Sequence, residues 1–325
     1  MAGYERAVFR LDSAGLNPAI ITMMYDEIVA VVQNRPLTGG HFVLSVRSPR
    51  QARAARAGQF GMIRLLGHSD LLLRRPMSIY DLKPDRPAAL PEGSRGARGA
   101  KSLRAVSRGA SPAVLEFLYK VVGRGTALMA ALEPDDRVGL LAPLGHGFFA
   151  EEYLGEARQA DEVLHVAGGI GIAALLMPAR ELARAGVRQR LFFGGRSRAD
   201  LVGVTDFKPY VEEAILATED GSRGHRGYVT NPFEDYLQRR PGERLLILAC
   251  GPWAMLEATV ALARRYGQRC LVSMENRMGC ALGVCLGCCI RVQGTGHGAY
   301  ERVCTEGPVF WAEHVVWGEN SLPRT

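Results

Sequence analysis

Val163-Leu164-His165-Val166-Ala167-Gly168-Gly169-Ile170-Gly171 is an apolar run that ends in a glycine turn. A helical pattern follows over residues 173–185, and similar strand and turn units recur at 190–194 and 245–249. Apolar strands that alternate with helices are typical of an α/β domain with a parallel sheet. The sequence therefore predicts a central parallel α/β domain over residues 158–268.

The glycine turn after this strand is also a candidate nucleotide site. A turn between a strand and a helix directs backbone N–H groups and the positive helix end outward, where a pyrophosphate can bind. The full G-x-G-x-x-G pattern with a downstream acid is absent here, so an ordinary two-layer Rossmann dehydrogenase is not favoured. A tight turn that needs glycine only for its geometry is the alternative.

The N-terminal half carries short β-type runs between turn residues. These runs are residues 27–32, 41–46, 60–65 and 115–122, with Gly39, Gly40 and Gly58 between them. Short strands separated by such turns predict an antiparallel β-barrel, here over residues 25–157. Residues 1–24 are predicted to be an N-terminal extension, with one helix around residues 18–24.

The composition is that of an ordinary globular protein, long enough for two or three domains. The chain has 325 residues, 47% of them hydrophobic, and a net charge of +7. Segment 83–112 holds seven basic and two acidic residues and carries +5 of that charge. Because it is rich in Pro, Gly, Ser and Ala and has no aromatic residue, it predicts a flexible basic insertion over about 84–112. A basic arm that binds RNA or an acidic partner is the alternative.

The sequence favours a cytoplasmic location. No apolar run reaches the length of a membrane helix, and residues 1–6 lead into no signal-type hydrophobic segment. Seven cysteines clustered towards one end argue against a secreted disulfide framework. We expect a cytoplasmic protein that binds neither membrane nor nucleic acid.

A C-terminal lobe, residues 269–325, contains the most specific motif. Cys280, Cys285 and Cys288 have the spacing C-x4-C-x2-C, and Cys304 follows as a fourth thiol. This is the plant-type pattern for a 2Fe-2S cluster, and the intervening glycines let the backbone curl around a small inorganic core. The chain is therefore predicted to move single electrons.

Two other interpretations of the cysteines compete with the cluster. A zinc site usually shows C-x2-C twice, or closely spaced histidines, and this sequence has one C-x2-C and no nearby histidine pair. Buried structural thiols do not require five of the seven cysteines to fall between residues 280 and 304. Cys250, Cys270 and Cys289 are predicted to be packed free thiols.

Two short motifs in the barrel region suit a flavin nucleotide. Arg75-Pro76-Met77-Ser78 combines a permanent cation, a rigid kink and a hydroxyl, which fit the phosphates and the ring edge. Gly123-Arg124-Gly125-Thr126 starts a helical segment and offers N–H donors beside a capping hydroxyl. Each motif alone is also compatible with simple turn chemistry.

The motifs together occur in a recognisable order. Residues 25–312 resemble the ferredoxin-reductase-like flavoproteins, and most closely the electron transfer subunits of two-component, NAD-linked dihydroorotate dehydrogenases. The matching stretches are RPMS (75–78), LYK (118–120), GT (125–126), PLGHGF (143–148), GGIG (168–171), CGP (250–252), MENRM (274–278), the cysteine run and VCTEGPVF (303–310). The cysteine run followed by VCTEGPVF is the most specific part.

The resemblance implies three cofactors and their residues. FAD would be held by Arg75, Pro76, Met77, Ser78, Leu118, Tyr119, Lys120, Gly125 and Thr126, and the 2Fe-2S cluster by Cys280, Cys285, Cys288 and Cys304. NAD would lie near Gly168, Gly169, Gly171, Cys250, Gly251 and Pro252, with its adenosine side near Arg196. Arg196 suits the 2′-phosphate of NADP, but Glu219 and Asp220 would repel it if they lie nearby, and the resemblance favours NAD.

The resemblance also implies an oxidoreductase subunit of pyrimidine biosynthesis. Dihydroorotate would be oxidised at FMN in a separate catalytic subunit, in a heterotetramer of two plus two, and electrons would pass through the cluster and FAD to NAD+. We expect no catalytic acid or base in this chain, because the cofactors carry the chemistry.

Two other functions stay open on the sequence alone. The same motifs would serve an NAD(P)H-linked reductase subunit for hydrogenase, sulfite reductase or ferredoxin. A redox sensor that controls nucleic-acid binding through the basic insertion belongs to a different class. Such a sensor has no need of both a flavin and a nicotinamide site.

Overall fold

The computed structural model describes residues 23–85, 111–148, 151–294 and 299–318. Its N-terminal part is a seven-stranded antiparallel sheet. The strands are β1 Tyr25–Pro36, β2 His41–Arg47, β3 Phe60–Leu65, β4 Arg75–Ser78, β5 Asp81–Pro84, β6 Pro112–Lys120 and β7 Arg137–Leu144, with helices α1 Pro49–Ala54 and α2 Arg124–Ala130. They lie in the order β4-β3-β7-β1-β2-β6-β5.

One short segment curls this sheet into a barrel. β4 pairs with β3 and β5 pairs with β6, so the two residues between them pass from one edge of the sheet to the other. The Ile79 N–H donates to the Gln59 carbonyl at 3.0 Å, and the Tyr80 N–H donates to the Glu116 carbonyl at 2.8 Å. The apolar side chains inside form one buried core. The predicted antiparallel barrel is confirmed.

The central part is a parallel sheet covered by helices. Its parallel strands are β8 Glu162–Gly168, β9 Gln189–Gly195, β10 Glu213–Thr218, β11 His225–Arg226, β12 Leu245–Cys250 and β13 Arg269–Ser273, in the order β11-β10-β9-β8-β12-β13. The helices are α3 Glu151–Gln159, α4 Leu176–Arg184, α5 Val204–Phe207, α6 Thr230–Gln238 and α7 Trp253–Arg265. Every residue of β8 and β12 is buried, as expected for strands covered on both faces. The predicted α/β class is confirmed.

The turn after β8 differs in detail from the sequence prediction. The helical pattern over 173–185 splits into a 3-10 helix, Gly169–Ala174, and then α4. Two further 3-10 helices, Thr38–Gly40 and Arg198–Asp200, pack against each other where the barrel meets the parallel sheet.

The cysteine-rich region forms a small hairpin beside the parallel sheet. Strand β14, Cys289–Val292, pairs with β15, Ala299–Arg302, and the last strand, β16 Val309–Trp311, runs antiparallel to β13. Strand β13 thus pairs within the central sheet, whereas the predicted boundary at residue 268 assigned it to the lobe. The predicted boundary at residue 157 falls inside α3. Our division into domains stays a prediction.

Two predicted features lie largely outside the described residues. They are the helix around residues 18–24 and the basic insertion over about 84–112. Within the four described ranges, no helix combines the length and the apolar character needed to cross a membrane.

Candidate functional site

A cavity of about 230 Å³ lies where the barrel, the parallel sheet and the cysteine-bearing lobe meet. Seven of the nine residues predicted to bind FAD line it: Pro76, Met77, Ser78, Leu118, Tyr119, Lys120 and Thr126. The opposite wall comes from Ile170, Ala173, Ser273, Met274, Glu275, Asn276, Met278 and Pro308. The barrel motifs, the glycine turn and the lobe therefore face one space.

The other two predicted FAD residues, Arg75 and Gly125, are in contact with each other. A Cβ atom at Gly125 would lie 2.2 Å from Arg75 Nε, so glycine is what allows the guanidinium to rest on this turn. The Arg75 guanidinium also donates to the Leu73 carbonyl. The arginine is held at the start of α2, where backbone N–H groups are available.

Thr126 shapes the same turn through its hydroxyl. Its Oγ1 accepts hydrogen bonds from the N–H groups of Val122 at 2.9 Å and Gly123 at 3.1 Å, and donates to the Gly123 carbonyl at 2.9 Å. The side chain is buried. Thr126 therefore fixes the first turn of α2 beside the cavity. Its predicted role is to help hold FAD there.

Lys120 is already engaged in an ion pair. Its Nζ lies 2.5 Å from Oδ1 of Asp200, which follows β9 in the parallel-sheet part. Asp200 also accepts from the backbone N–H of Ser197 at 3.2 Å. Burial raises the pKa of Asp200, but the hydrogen bond and charge of Lys120 outweigh it and the net shift is downward. The lysine thus lines the cavity while it ties the barrel to the nucleotide part.

The two segments predicted to bind NAD meet at the carboxyl ends of β8 and β12. A Cβ atom at Gly171 would lie 2.4 Å from the Cys250 carbonyl oxygen, and one at Gly168 would lie 2.8 Å from Pro252 Cδ. Gly251 has a φ of +158° and packs against the backbone of Gly168. The carboxyl edge of a parallel sheet is where nucleotides bind in this class of fold.

The acidic pair after β10 lies beside the predicted adenosine side of this site. The Glu219 N–H donates to the Gly195 carbonyl at 3.1 Å, and the Asp220 N–H donates to the Arg196 carbonyl at 3.2 Å. The Arg196 side chain is exposed. The backbones of the two acidic residues thus lie against the predicted adenosine side, and the Asp220 carboxylate accepts hydrogen bonds from Ser222.

Glu275 was missed as a site residue by the sequence analysis. It follows directly after β13 and lines the cavity, to which it is exposed. Desolvation by the protein around the cavity raises the pKa of Glu275. Burial, and then the Glu275 charge, raise the pKa of the buried Cys250 thiol. The position of Glu275 at the carboxyl end of a parallel strand is a signal by which the sequence could have indicated a site residue.

The four predicted ligand thiols are carried by two segments of the lobe. Cys280, Cys285 and Cys288 lie on the loop before β14, and Cys304 lies on the turn after β15. Positive φ angles at Ala281 (57°), Gly283 (75°) and Leu286 (58°) curl the loop that carries the first three thiols. Cys289, in contrast, is the first residue of β14 and pairs with Arg302.

The backbone of the loop points N–H groups at sulfur. The N–H groups of Leu282 and Cys285 lie 3.3 and 3.4 Å from Cys280 Sγ. Burial alone would raise the pKa of Cys280, but these hydrogen bonds lower it to about 7. Thiolate, not thiol, is the form that binds metal.

The donor set suits a 2Fe-2S cluster. Four cysteine thiolates are the ligands of such a core, and the loop and the turn together supply four cysteines. Across residues 23–85, 111–148, 151–294 and 299–318, no three His, Cys, Asp or Glu side chains converge as a site for one metal ion.

The cysteine loop begins at the wall of the cavity. Met278 lines the cavity, and Cys280 follows two residues later, at most about 7 Å further along the backbone. On the other side, the His146 N–H donates to the Gly307 carbonyl at 2.6 Å, which docks the end of the barrel on the turn after Cys304. The cavity and the thiols are therefore adjacent.

Comparisons with known proteins agree with this geometry. A family model for the iron-sulfur cluster binding domain of dihydroorotate dehydrogenase B matches residues 275–316. The structure of an NADH-dependent reduced ferredoxin-NADP oxidoreductase, studied for flavin-based electron bifurcation, superposes with a TM-score of 0.71 at 26% identity, covering 90% of this chain and 91% of that one. A ferredoxin reductase of carbazole 1,9a-dioxygenase shares the fold, with a TM-score of 0.55 at 21% identity over 77% and 68% of the two chains.

Fold and site together define a ferredoxin-reductase-like flavoprotein with an attached iron–sulfur lobe. The dihydroorotate dehydrogenase B (NAD(+)), electron transfer subunit of Desulforamulus reducens is 31% identical over 291 residues, 90% of this chain and 97% of the relative. The subunit of the same name from Geobacillus thermodenitrificans is 32% identical over 295 residues, 90% and 100% of the two chains. The chain belongs to this family of electron transfer subunits.

Proposed function

We propose that this chain is the electron transfer subunit of an NAD-dependent dihydroorotate dehydrogenase. The observation that carries the proposal is the position of the cysteine loop at the wall of the cavity, in a chain of this family. Its working cofactors are FAD, a 2Fe-2S cluster and NAD. In the cell we place it in the cytoplasm, in pyrimidine biosynthesis.

The residue assignments are part of this proposal. Arg75 and the N–H groups at the start of α2 hold the FAD phosphates, and Ser78 and Tyr119 line the ring side of the cavity. The glycine turn after β8 and the loop after β12 hold the nicotinamide against the cavity. Cys280, Cys285, Cys288 and Cys304 ligate the cluster.

Electron counting gives the order in which the sites take part in electron transfer. Oxidation of dihydroorotate to orotate releases two electrons and two protons, and reduction of NAD+ to NADH takes up two electrons and one proton. A flavin, when bound, exchanges one or two electrons and so connects a two-electron nicotinamide with a one-electron cluster. The protein's part is to position these groups and to exclude water, so the chain needs no catalytic acid or base.

The partner is proposed to be an FMN-containing catalytic subunit, in a heterotetramer of two plus two. The loop around Cys285 presents Leu282, Val284 and Leu286, which are 42%, 78% and 61% exposed. An apolar surface of this kind beside a cluster is a suitable docking face, because it becomes buried when the electron donor binds. Electrons would then enter at the exposed side of the cluster.

Reconstitution tests the proposal. The anaerobically purified chain should contain about one FAD and one 2Fe-2S cluster, reduce dyes with NADH, and fail to oxidise dihydroorotate alone. Addition of an FMN-containing dihydroorotate dehydrogenase catalytic subunit should give NAD-dependent oxidation of dihydroorotate. Zinc without iron in the purified chain would contradict the cluster, and failure of the mixed subunits to couple would contradict the partner.

A second candidate is an NADH-linked reductase subunit that serves a ferredoxin. The similarity to an NADH-dependent reduced ferredoxin-NADP oxidoreductase, at 26% identity and a TM-score of 0.71, favours it. The two functions differ in the acceptor. NADH-driven reduction of a ferredoxin at a higher rate than dihydroorotate-driven reduction of NAD+ would support the second function.

A further inference from the structure

Arg302 connects the two chain segments that carry the proposed cluster ligands. Its Nη1 donates to the Gly283 carbonyl at 3.0 Å, in the loop that holds the first three thiols. Arg302 itself lies two residues before Cys304, the fourth thiol. A single guanidinium thus bridges the loop and the turn from which the four sulfurs project.

Glu306 holds the guanidinium in this position. Arg302 Nε and the Arg302 backbone N–H each lie 2.8 Å from Glu306 Oε2, and Arg302 Nη2 donates to the other carboxylate oxygen. Thr305 Oγ1 also donates to Glu306 Oε2, at 2.9 Å. The paired contact of the guanidinium with both carboxylate oxygens fixes the guanidinium plane.

Gly283 is the point at which the loop meets this junction. Its carbonyl accepts a hydrogen bond from Arg302. A Cβ atom here would lie 2.9 Å from Thr305 Cγ2 and 3.1 Å from Arg302 Nη1, and the φ of +75° favours glycine. The loop is therefore seated closely on the turn.

We propose that Arg302 is a positioning residue for the cluster: it holds Gly283, and with it the loop that carries the first three thiols, against the turn that carries Cys304. The proposal rests on the cluster ligands assigned above. Hydrogen bonds to the sulfurs and local charge set the reduction potential of an iron–sulfur cluster. Arg302 then acts on the potential through Gly283 and on iron retention by keeping the two ligand segments together.

The test compares Arg302→Gln, Arg302→Lys and Glu306→Gln with the wild-type holoprotein. Arg302→Gln should release iron to a chelator about tenfold faster and have a more negative cluster midpoint potential, with its FAD content unchanged. Arg302→Lys keeps the charge but cannot reach both Glu306 and the Gly283 carbonyl. The midpoint potential of its cluster should therefore lie between those of the wild type and Arg302→Gln. Glu306→Gln should shift the potential in the same direction as Arg302→Gln.

Arg277→Gln is the matched control, because it removes one positive charge from an exposed residue of the same lobe. Its potential should stay close to that of the wild type. Equal shifts of the cluster midpoint potential in Arg277→Gln and Arg302→Gln would mean that the loss of a positive charge alone explains the shift. That result would overturn the positioning role. Wild-type potential and iron retention in Arg302→Gln would also overturn it, while leaving the ligand assignment intact. A wild-type chain without iron would instead overturn the ligand assignment and the positioning role together.

Discussion

Cys285 is the one exposed thiol among the four proposed ligands, and a neighbouring cysteine provides a control for it. Cys285→Ser should abolish the visible absorption of the cluster and most of the iron, because serine is a poor substitute for thiolate at iron. Reduction of FAD by NADH should persist, since the cavity and the glycine turns are unchanged. Cys289→Ser should keep its iron. Full iron content in Cys285→Ser, or loss of iron in Cys289→Ser, would show that the ligand assignment is wrong.

His165 predicts how stability depends on pH. It lies fully buried in the middle of β8, with Nε2 2.7 Å from the Gln189 side-chain oxygen. Burial lowers the pKa of His165 to about 4. The unfolded chain binds this proton at an ordinary pKa of about 6.5, so stability is lost as the pH falls from about 6.5 towards 4.

From this residue we expect the free energy of unfolding to fall by about 2 kcal/mol between pH 7 and pH 5. Urea unfolding of the wild type and of His165→Leu at both pH values measures it. The variant is less stable at pH 7, but its loss on acidification should be smaller by that amount. Equal losses in the two proteins would mean that His165 is not buried in its neutral form.

At the scale of single elements, the junction of β8 with its 3-10 helix depends on Gly171. Gly171→Ala would place a methyl group 2.4 Å from the Cys250 carbonyl oxygen, a backbone atom that cannot move aside cheaply. We expect a destabilisation of about 1–3 kcal/mol and a raised KM for NADH in dye reduction, with FAD content maintained.

Gly155→Ala, in α3, is the matched control for this substitution, because nothing lies within 4 Å of the added Cβ atom. It should leave KM close to the wild-type value and raise the free energy of unfolding by about 0.5–1 kcal/mol, because alanine is the better helix former. Normal KM and stability in Gly171→Ala would contradict the close approach of the two NAD segments.

Elements with a local signal could be predicted from the sequence. The period-two runs of the barrel, the apolar strands β8 and β12, and the cysteine spacing all lie within short stretches of chain. Lys120 and Asp200 are 80 residues apart, and no local pattern records that they meet. The pairing of β13 with β12 spans a whole helix, so no short stretch of the sequence records it. Glu275 was missed because the cavity wall forms only when three parts of the chain come together.

At the scale of the whole molecule, buried polar contacts hold the barrel on the parallel sheet. Arg180 of α4 pairs with Asp81 of β5, and both side chains are largely buried. Tyr80 donates to Asp206 at 2.5 Å across the same boundary. The cavity lies between the two parts that these contacts join.

Arg180→Met should lower the free energy of unfolding by about 3 kcal/mol, because the buried Asp81 carboxylate would keep one cationic partner among the described residues, Lys83. Arg188→Met is the control: its pair with Glu212 is exposed on both sides and should contribute little. Chemical unfolding of the three proteins measures the difference. Equal stability of the two variants would contradict a structural role for the buried pair.

The proposed electron route runs from the nicotinamide site through the flavin cavity to the four thiols. Anaerobic stopped-flow mixing of the holoprotein with NADH tests this route directly, with flavin and cluster absorption followed separately. We expect the flavin to be reduced first and the cluster to follow, and Cys285→Ser to retain the first phase alone. A cluster that stays oxidised beside a fully reduced flavin, or that is reduced at the same rate when FAD has been removed, would contradict the proposed route.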